Sequence, residues 1–349
     1  MNPTSSPTFS MVTCANGAEK AVKAELDPQG WRLAFSRPGF VTLKNDDGAG
    51  LPRGVFIRAA AHSIGSAKSD RSSDLIKKLV GLMNAKNLVS FDQLHVWPRD
   101  RLPIGKFGFE PQIDELSRAA ADELLAALRG RHVACDQANR IAESEERVLD
   151  VVLVEPNQWF LGWHVASDWP TRWPGAIQPI SPREEPVSRA YFKAAEAIVW
   201  SGFQMNPGEQ AVEVGSSPGG VCGRLLELGL DVIGIDPANM DERISKHPHF
   251  RHVRARAGDL KRSVFRNTKW LLVDSNVKPD QTLTTVEKIV THSSSRVEGI
   301  LLTLKLGDYQ KHEALERWID RIRTWDPAEL RIRQLARNKC EVCCAIRMR

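Results

Sequence analysis

Apolar and polar positions follow two periods along this chain, and the elements change where one period gives way to the other. Residues 1–10 are polar with two prolines and read as a disordered tail, although a strand could begin as early as Phe9. In 16–26, Ala18, Val22 and Leu26 share a helical face, and 31–35 and 39–44 form a strand pair joined at Arg37-Pro38. Residues 11–50 therefore make a small α+β unit. After a polar break at 46–50, the span 51–167 predicts a helix at 74–83, a strand at 91–97 and a longer helix at 113–128. Ile113, Leu116, Ala120, Leu124 and Leu128 lie near one stripe of that helix. A hairpin follows, 148–154 with 159–165, turning at Glu155-Pro156-Asn157. Residues 168–187 hold five prolines and two Trp-Pro pairs, and read as a linker or an irregular docking segment. From 188 to 349, short apolar runs at 211–214, 232–235, 251–254, 270–273 and 299–305 alternate with helical stretches. A helix at 309–325 and neighbouring antiparallel strands at 329–335 and 340–347 complete the pattern. This alternation predicts a doubly wound α/β domain with a terminal hairpin.

The stretch that organises this last region is Glu213-Val214-Gly215-Ser216-Ser217-Pro218-Gly219-Gly220. It reads as a buried strand, a glycine turn and the start of a helix, the opening of a nucleotide-binding unit whose helix amides can face a polar ligand. The dinucleotide fingerprint is excluded because Ser217 stands at its second glycine, and no Gly-Lys-Ser/Thr phosphate loop is present. The next strand ends in Asp236, 21 residues after Gly215, where an acid meets ribose hydroxyls. A strand-end acid without a phosphate loop suits a nucleoside ligand such as S-adenosylmethionine.

Charge changes the picture modestly. A net charge of +5 permits an anionic partner such as RNA without requiring one. The beginning of the sequence lacks the basic and apolar regions of a signal peptide, and no apolar run approaches a membrane span, so a cytoplasmic protein without a membrane partner is expected. The six cysteines form no disulfide framework. Cys340, Cys343 and Cys344 lack the second ligand pair that a structural zinc needs, and are expected to be ordinary buried thiols, with no metal site. His247, His249 and His252 are expected at the surface.

Four charged groups fall at or near predicted element ends: Lys193, Asp274, Lys305 and Glu341. In an open α/β sheet, ligands bind beyond the carboxyl ends of the strands, so Asp274 and Lys305 would approach the donor. In this order and spacing the four resemble the Lys-Asp-Lys-Glu tetrad of the FtsJ-type ribose 2′-O-methyltransferases. The resemblance extends to Trp173-Pro174, Pro186-Val187-Ser188-Arg189, Ser217-Pro218-Gly219-Gly220, Val273-Asp274 with Lys278-Pro279, and Leu304-Lys305-Leu306. It implies a class I (Rossmann-like) methyltransferase domain over 188–349, S-adenosylmethionine as methyl donor, no metal, and large-subunit (23S) rRNA as substrate, at a cytidine ribose. Lys305 would be the general base, Asp274 its orienting carboxylate, and Glu341 the balance to Lys193. An ordinary lysine has a pKa of ~10.4, so burial and a neighbouring cation are what make an amine a base near neutral pH. The donor site would use Ser188, Gly215, Ser217, Pro218, Gly219, Gly220, Asp236 on the ribose, Asp259 near adenine, and Asp274.

The N-terminal spans resemble RRM-like (11–50) and THUMP-like (51–167) RNA-binding domains through Cys14 to Glu19, Gly39-Phe40-Val41 and the 148–165 hairpin. A monomer is the expected state. Two basic clusters could track phosphates: Arg243, Arg251, Arg254, Arg256, Lys261 and Arg262, and Arg317, Arg321, Arg323, Arg331 and Arg333. Trp97, Trp169, Trp173 and Trp318 could stack bases or simply pack. The chain departs from the family at Glu213, where relatives often carry Asp, and at Val221, where they carry an aromatic. A non-catalytic RNA-binding protein that has kept the fold is the rival reading. Base or protein N-methylation ranks below it, because Asp274-Ser275-Asn276-Val277 lacks the motif that those enzymes use.

Overall fold

The computed structural model describes residues 8–48, 50–88 and 90–349. The chain divides into two compact units, residues 1–179 and 180–349.

The first unit is built on a seven-stranded sheet of β1 (Thr8–Thr13), β2 (Arg32–Arg37), β3 (Phe40–Asn45), β4 (Ala59–Lys68), β5 (Gln93–Pro98), β6 (Arg147–Glu155) and β7 (Gln158–Val165). Their order is β2-β3-β1-β4-β7-β6-β5, antiparallel except for β5 with β6. Of the expected tail, residues 1–7 lie outside the described residues, whereas Thr8, Phe9 and Ser10 belong to β1. There Ser10 is paired to Leu43 on one side and His62 on the other, so backbone pairing orders a polar sequence. The boundary expected at 50/51 falls between two strands of one continuous sheet.

Helix α1 (Glu19–Leu26) lies beside β2. α2 (Ser72–Ala85) and α3 (Glu115–Leu128) bury Leu75, Leu79, Met83, Leu124 and Leu128 against Leu94, Val96, Leu149, Val151 and Leu153. Leu116 does not join the α3 stripe but is exposed. Ser117, Ala121 and Leu125 are buried instead, because the covered face is centred one residue further along. β6 is buried on both sides of the sheet, which explains its almost unbroken apolar run. The Trp-Pro pairs open α4 (Trp169–Arg172) and a 3₁₀ turn at Pro174–Ala176, where Gly175 lies against the ring of Trp97.

The second unit runs α5 (Ala190–Ser201), β8 (Gln210–Val214), α6 (Gly220–Glu227), β9 (Asp231–Ile235), α7 (Glu242–Ser245), β10 (Phe250–Val253), β11 (Trp270–Val273), α8 (Pro279–Val290), β12 (Gly299–Lys305), α9 (Leu315–Arg323), β13 (Glu329–Arg333) and β14 (Glu341–Arg347). Its sheet order is β10-β9-β8-β11-β12-β14-β13. The first five strands are parallel. β14 is antiparallel and lies between β12 and β13. The expected terminal hairpin is therefore present, with its second strand, not its first, docked on the parallel sheet. The helix expected at 309–325 begins as a 3₁₀ stretch, Tyr309–Ala314, before α9. The core joins Ala194, Ile198 and Trp200 of α5 and Leu225 of α6 to Ala211, Val232, Leu272, Leu301 and Cys343 of the sheet. Among the described residues no helix is long and apolar enough to cross a membrane.

Candidate functional site

The parallel strands all end at one rim, and the antiparallel β14 begins there. Glu341, the first residue of β14, is consequently the cross-strand partner of Lys305, the last residue of β12. Asp274 follows β11 directly, its amide donating to the Val214 carbonyl at 3.2 Å. Lys193, in the first turn of α5, reaches the same point from the helical layer.

The four side chains meet. Lys193 Nζ lies 2.6 Å from Asp274 Oδ2 and 2.7 Å from Glu341 Oε1. Lys305 Nζ lies 3.2 Å from Asp274 Oδ1 and 3.8 Å from Glu341 Oε2. Two ammonium groups thus share two carboxylates. Burial favours a neutral Lys193, but Asp274 and Glu341 outweigh it and hold the ammonium above the ordinary lysine range. Burial likewise opposes ionisation of Asp274, yet Lys193 and Lys305 draw its carboxyl below the usual range.

Sequence reasoning missed two contributors, Asn276 and Glu196, and the partner of a third, Glu213. Asn276 accepts a hydrogen bond from Lys305 Nζ at 2.8 Å; its place in the turn after Asp274 was the available signal. Glu196, buried on α5, accepts from the amides of Ala336 and Arg337 at 2.7 and 3.1 Å, tying α5 to the turn that leads into β14. Glu213 is buried under the site and accepts a hydrogen bond from Cys222 Sγ at 2.8 Å. Burial pushes its carboxyl well above the usual range. A cavity of about 30 Å³, lined in part by Lys193, Glu213, Asp274 and Thr303, lies beside them.

The glycine turn is fixed by close packing. At Gly215 (φ +84°) a Cβ would stand 2.8 Å from Ser275 Cα, and at Gly220 it would stand 2.2 Å from Ser188 Oγ. Ser217 and Pro218 lie between them. The Ser217 amide donates to Asp236 Oδ2 at 3.2 Å and the Ala238 amide to Asp236 Oδ1 at 2.8 Å, so Asp236 joins the turn to the end of β9. Ser188 Oγ is buried and makes no hydrogen bond within the protein. Asp259 is exposed in the 3₁₀ turn Ala257–Asp259 that follows β10 on the same rim. An unpartnered buried hydroxyl and a strand-end carboxylate with free lone pairs are polar groups that fit a nucleoside-bearing donor.

Cys343 and Cys344 are buried and Cys340 is half-buried; all are free thiols. Among the described residues no group of three or more His, Cys, Asp or Glu side chains is arranged to hold a metal. His249 is exposed against Asp231, whereas His252 is half-buried with Nε2 3.0 Å from the Asp236 carbonyl.

Strand order, glycine turn and rim define the second unit as a Rossmann-like, doubly wound α/β fold. The chain is similar to "Ribosomal RNA large subunit methyltransferase M" of Azotobacter vinelandii, with 30% identity over 189 residues covering 49% of this chain and 51% of the relative. The same-named protein of Pseudomonas entomophila is 27% identical over 229 residues, 61% of this chain and 62% of the relative. The chain thus spans about half to three-fifths of the length of these relatives. Among solved structures, TrmN from Thermus thermophilus aligns over 98% of this chain and 100% of its own, at 14% identity and a TM-score of 0.35. No protein-family model matches the chain.

Proposed function

We propose that this protein is an S-adenosylmethionine-dependent RNA ribose 2′-O-methyltransferase whose substrate is large-subunit (23S) rRNA, at a cytidine. The observation that carries the proposal is the convergence of Lys193, Asp274, Lys305 and Glu341 at the strand rim. The named relatives support rRNA as the substrate. Ser188, Asp236 and the 215–220 turn would hold S-adenosylmethionine, which supplies an electrophilic methyl group when bound. Asp259 would serve its adenine end.

A ribose hydroxyl must lose its proton as it attacks, so the site needs a base. Lys193 is poorly suited, because its two carboxylate partners keep it charged. Lys305 is the more exposed amine, at 29% against 8% for Lys193, and its neutral form would accept the hydroxyl proton. Asp274 and Asn276 aim that amine, Glu341 braces it from the neighbouring strand, and Lys193 pairs with both carboxyl groups and draws that of Asp274 below its usual range. The first unit would bind RNA through its RRM-like and THUMP-like portions. The protein would act as a cytoplasmic monomer without a metal.

The test is transfer of labelled methyl from S-adenosylmethionine to an unmodified large-subunit rRNA transcript, followed by mapping of ribose methylation. One 2′-O-methyl group is expected with the wild type. Lys305→Ala should lose roughly 10²- to 10⁴-fold in rate with donor binding nearly intact. Unchanged turnover in the variant removes Lys305 as the base; donor binding without any transfer favours the non-catalytic reading.

A further inference from the structure

We propose that the rim segment running from β10 through the two 3₁₀ turns after it, Ala257–Asp259 and Arg262–Phe265, is a phosphate-tracking surface that holds single-stranded RNA beside the donor site. The inference rests on the RNA reading above but names a surface that the reading does not require.

Residues 250–266 carry Arg251, Arg254, Arg256, Lys261, Arg262 and Arg266 against a single carboxylate, Asp259. The local excess of five positive charges equals the net charge of the whole chain. Among the described residues, none of these six cations forms an ion pair; Arg254 contacts only the Asn239 side-chain oxygen. The second basic cluster behaves differently. Arg317, Arg321, Arg323 and Arg331 are engaged by Asp280, Glu287, Asp320 and Glu329, and Arg243 is held by Asp241. The two clusters looked alike in sequence, but the structure pairs four members of the second with carboxylates, whereas in the first only Arg243 is so paired and Arg251, Arg254, Arg256 and Lys261 stay exposed without an ion pair.

Position also favours a polyanion. β10 is the edge strand, and Val253 is in register with Ile235 on β9. Arg254 therefore leaves the sheet level with Asp236, on the rim that carries the donor turn. Asp274 lies three strand spacings away, about 14 Å across the sheet. A strand of RNA passing along the rim would present several phosphates to the segment while a nucleotide further along reaches Lys305. A compact anion would need converging donors, whereas these side chains are spread over a strand, a loop and two turns, which suits a chain of phosphates.

Cations on an edge strand also discourage sheet-to-sheet pairing, and the test separates that role. Binding of the full-length protein to an unmodified large-subunit rRNA transcript is measured across a salt series for four proteins. These are the wild type, Arg254→Gln/Arg256→Gln/Lys261→Gln, the matching Lys/Lys/Arg variant, and a control with Arg317, Arg323 and Arg331 changed to Gln. The neutralised rim variant should bind more weakly, with the slope of log K against log salt reduced by about 2, at ~0.7 per phosphate contact. The charge-preserving variant and the control should keep the wild-type slope. Donor affinity, measured by calorimetry, should remain within twofold in all four, which shows that the fold persists. Equal slopes in rim variant and wild type overturn the surface, as does self-association of the rim variant with unchanged RNA affinity. Wild-type binding without methyl transfer defeats the proposed reaction but leaves the surface standing; a wild type that binds no RNA defeats both.

Discussion

Lys193 and Lys305 touch the same two carboxylates from different depths, and depth gives them different work. Lys193 is enclosed, so removing it strands Asp274 and Glu341 with one partly solvated partner. Breaking a buried pair costs about 3–5 kcal/mol, whereas a more exposed pair is worth about 1 or less. Lys193→Met should therefore lower stability in urea titrations by about 3 kcal/mol, and Lys305→Met by less than about 1 while lowering turnover by roughly 10²- to 10⁴-fold. Equal losses of stability would remove the distinction between a structural cation and a reacting one. At this scale, the sequence revealed which charged residues end which strands. It did not reveal Asn276, Glu196 or the partner of Glu213, because each depends on a group from another element: a lysine at the end of β12, a turn before β14, and a cysteine on α6.

The elements bring these residues together through contacts that tolerate little added volume. Gly220→Ala would place a methyl group against Ser188 Oγ and 2.9 Å from the Tyr191 amide nitrogen. Because backbone is one of the obstructing groups, α6 must retreat from α5. Donor affinity should fall at least tenfold by calorimetry, and the melting temperature should drop. Retained affinity would show that the turn adapts. Elements with a clean period were legible in sequence, including the β6–β7 hairpin, the parallel strands and α2. β4 was not. Ala59–Lys68 is rich in small residues and its pairing with β7 shifts register between Ser63 and Gly65, which breaks the alternation that marks a strand. The insertion of β14 between β12 and β13 was also hidden, since local pattern shows that two strands neighbour each other but not which one meets the sheet.

Across the molecule, the two units carry buried groups that respond to pH in opposite senses. In the first, burial lowers His95 to about 3, so the folded state keeps it neutral while the unfolded chain gains a proton below about 6.5. Stability from this group is present above that value and is lost as pH falls towards 3. In the second, the raised Glu213 carboxyl contributes stability that is full below its ordinary value of 4.5 and is lost as pH rises towards its folded value. Relative to wild type, His95→Gln should thus gain stability on going from pH 8 to 5, and Glu213→Gln on going from pH 5 to 8. The ceiling is about 1.4 kcal/mol per pH unit within each window. Urea unfolding at both pH values checks the pair, and parallel trends would refute the assignment.

The convergence at the rim also bears on the order of events as the second unit folds. Lys193 and Asp274 are 81 positions apart, and Glu341 enters from the far end of the same unit. Helices can form within microseconds from local contacts, but such distant groups cannot meet until chain closure has been achieved across the whole sheet. Recovery of turnover should consequently be a late event in refolding, trailing the return of helical signal. The four-residue arrangement is a reporter of completed topology rather than of secondary structure.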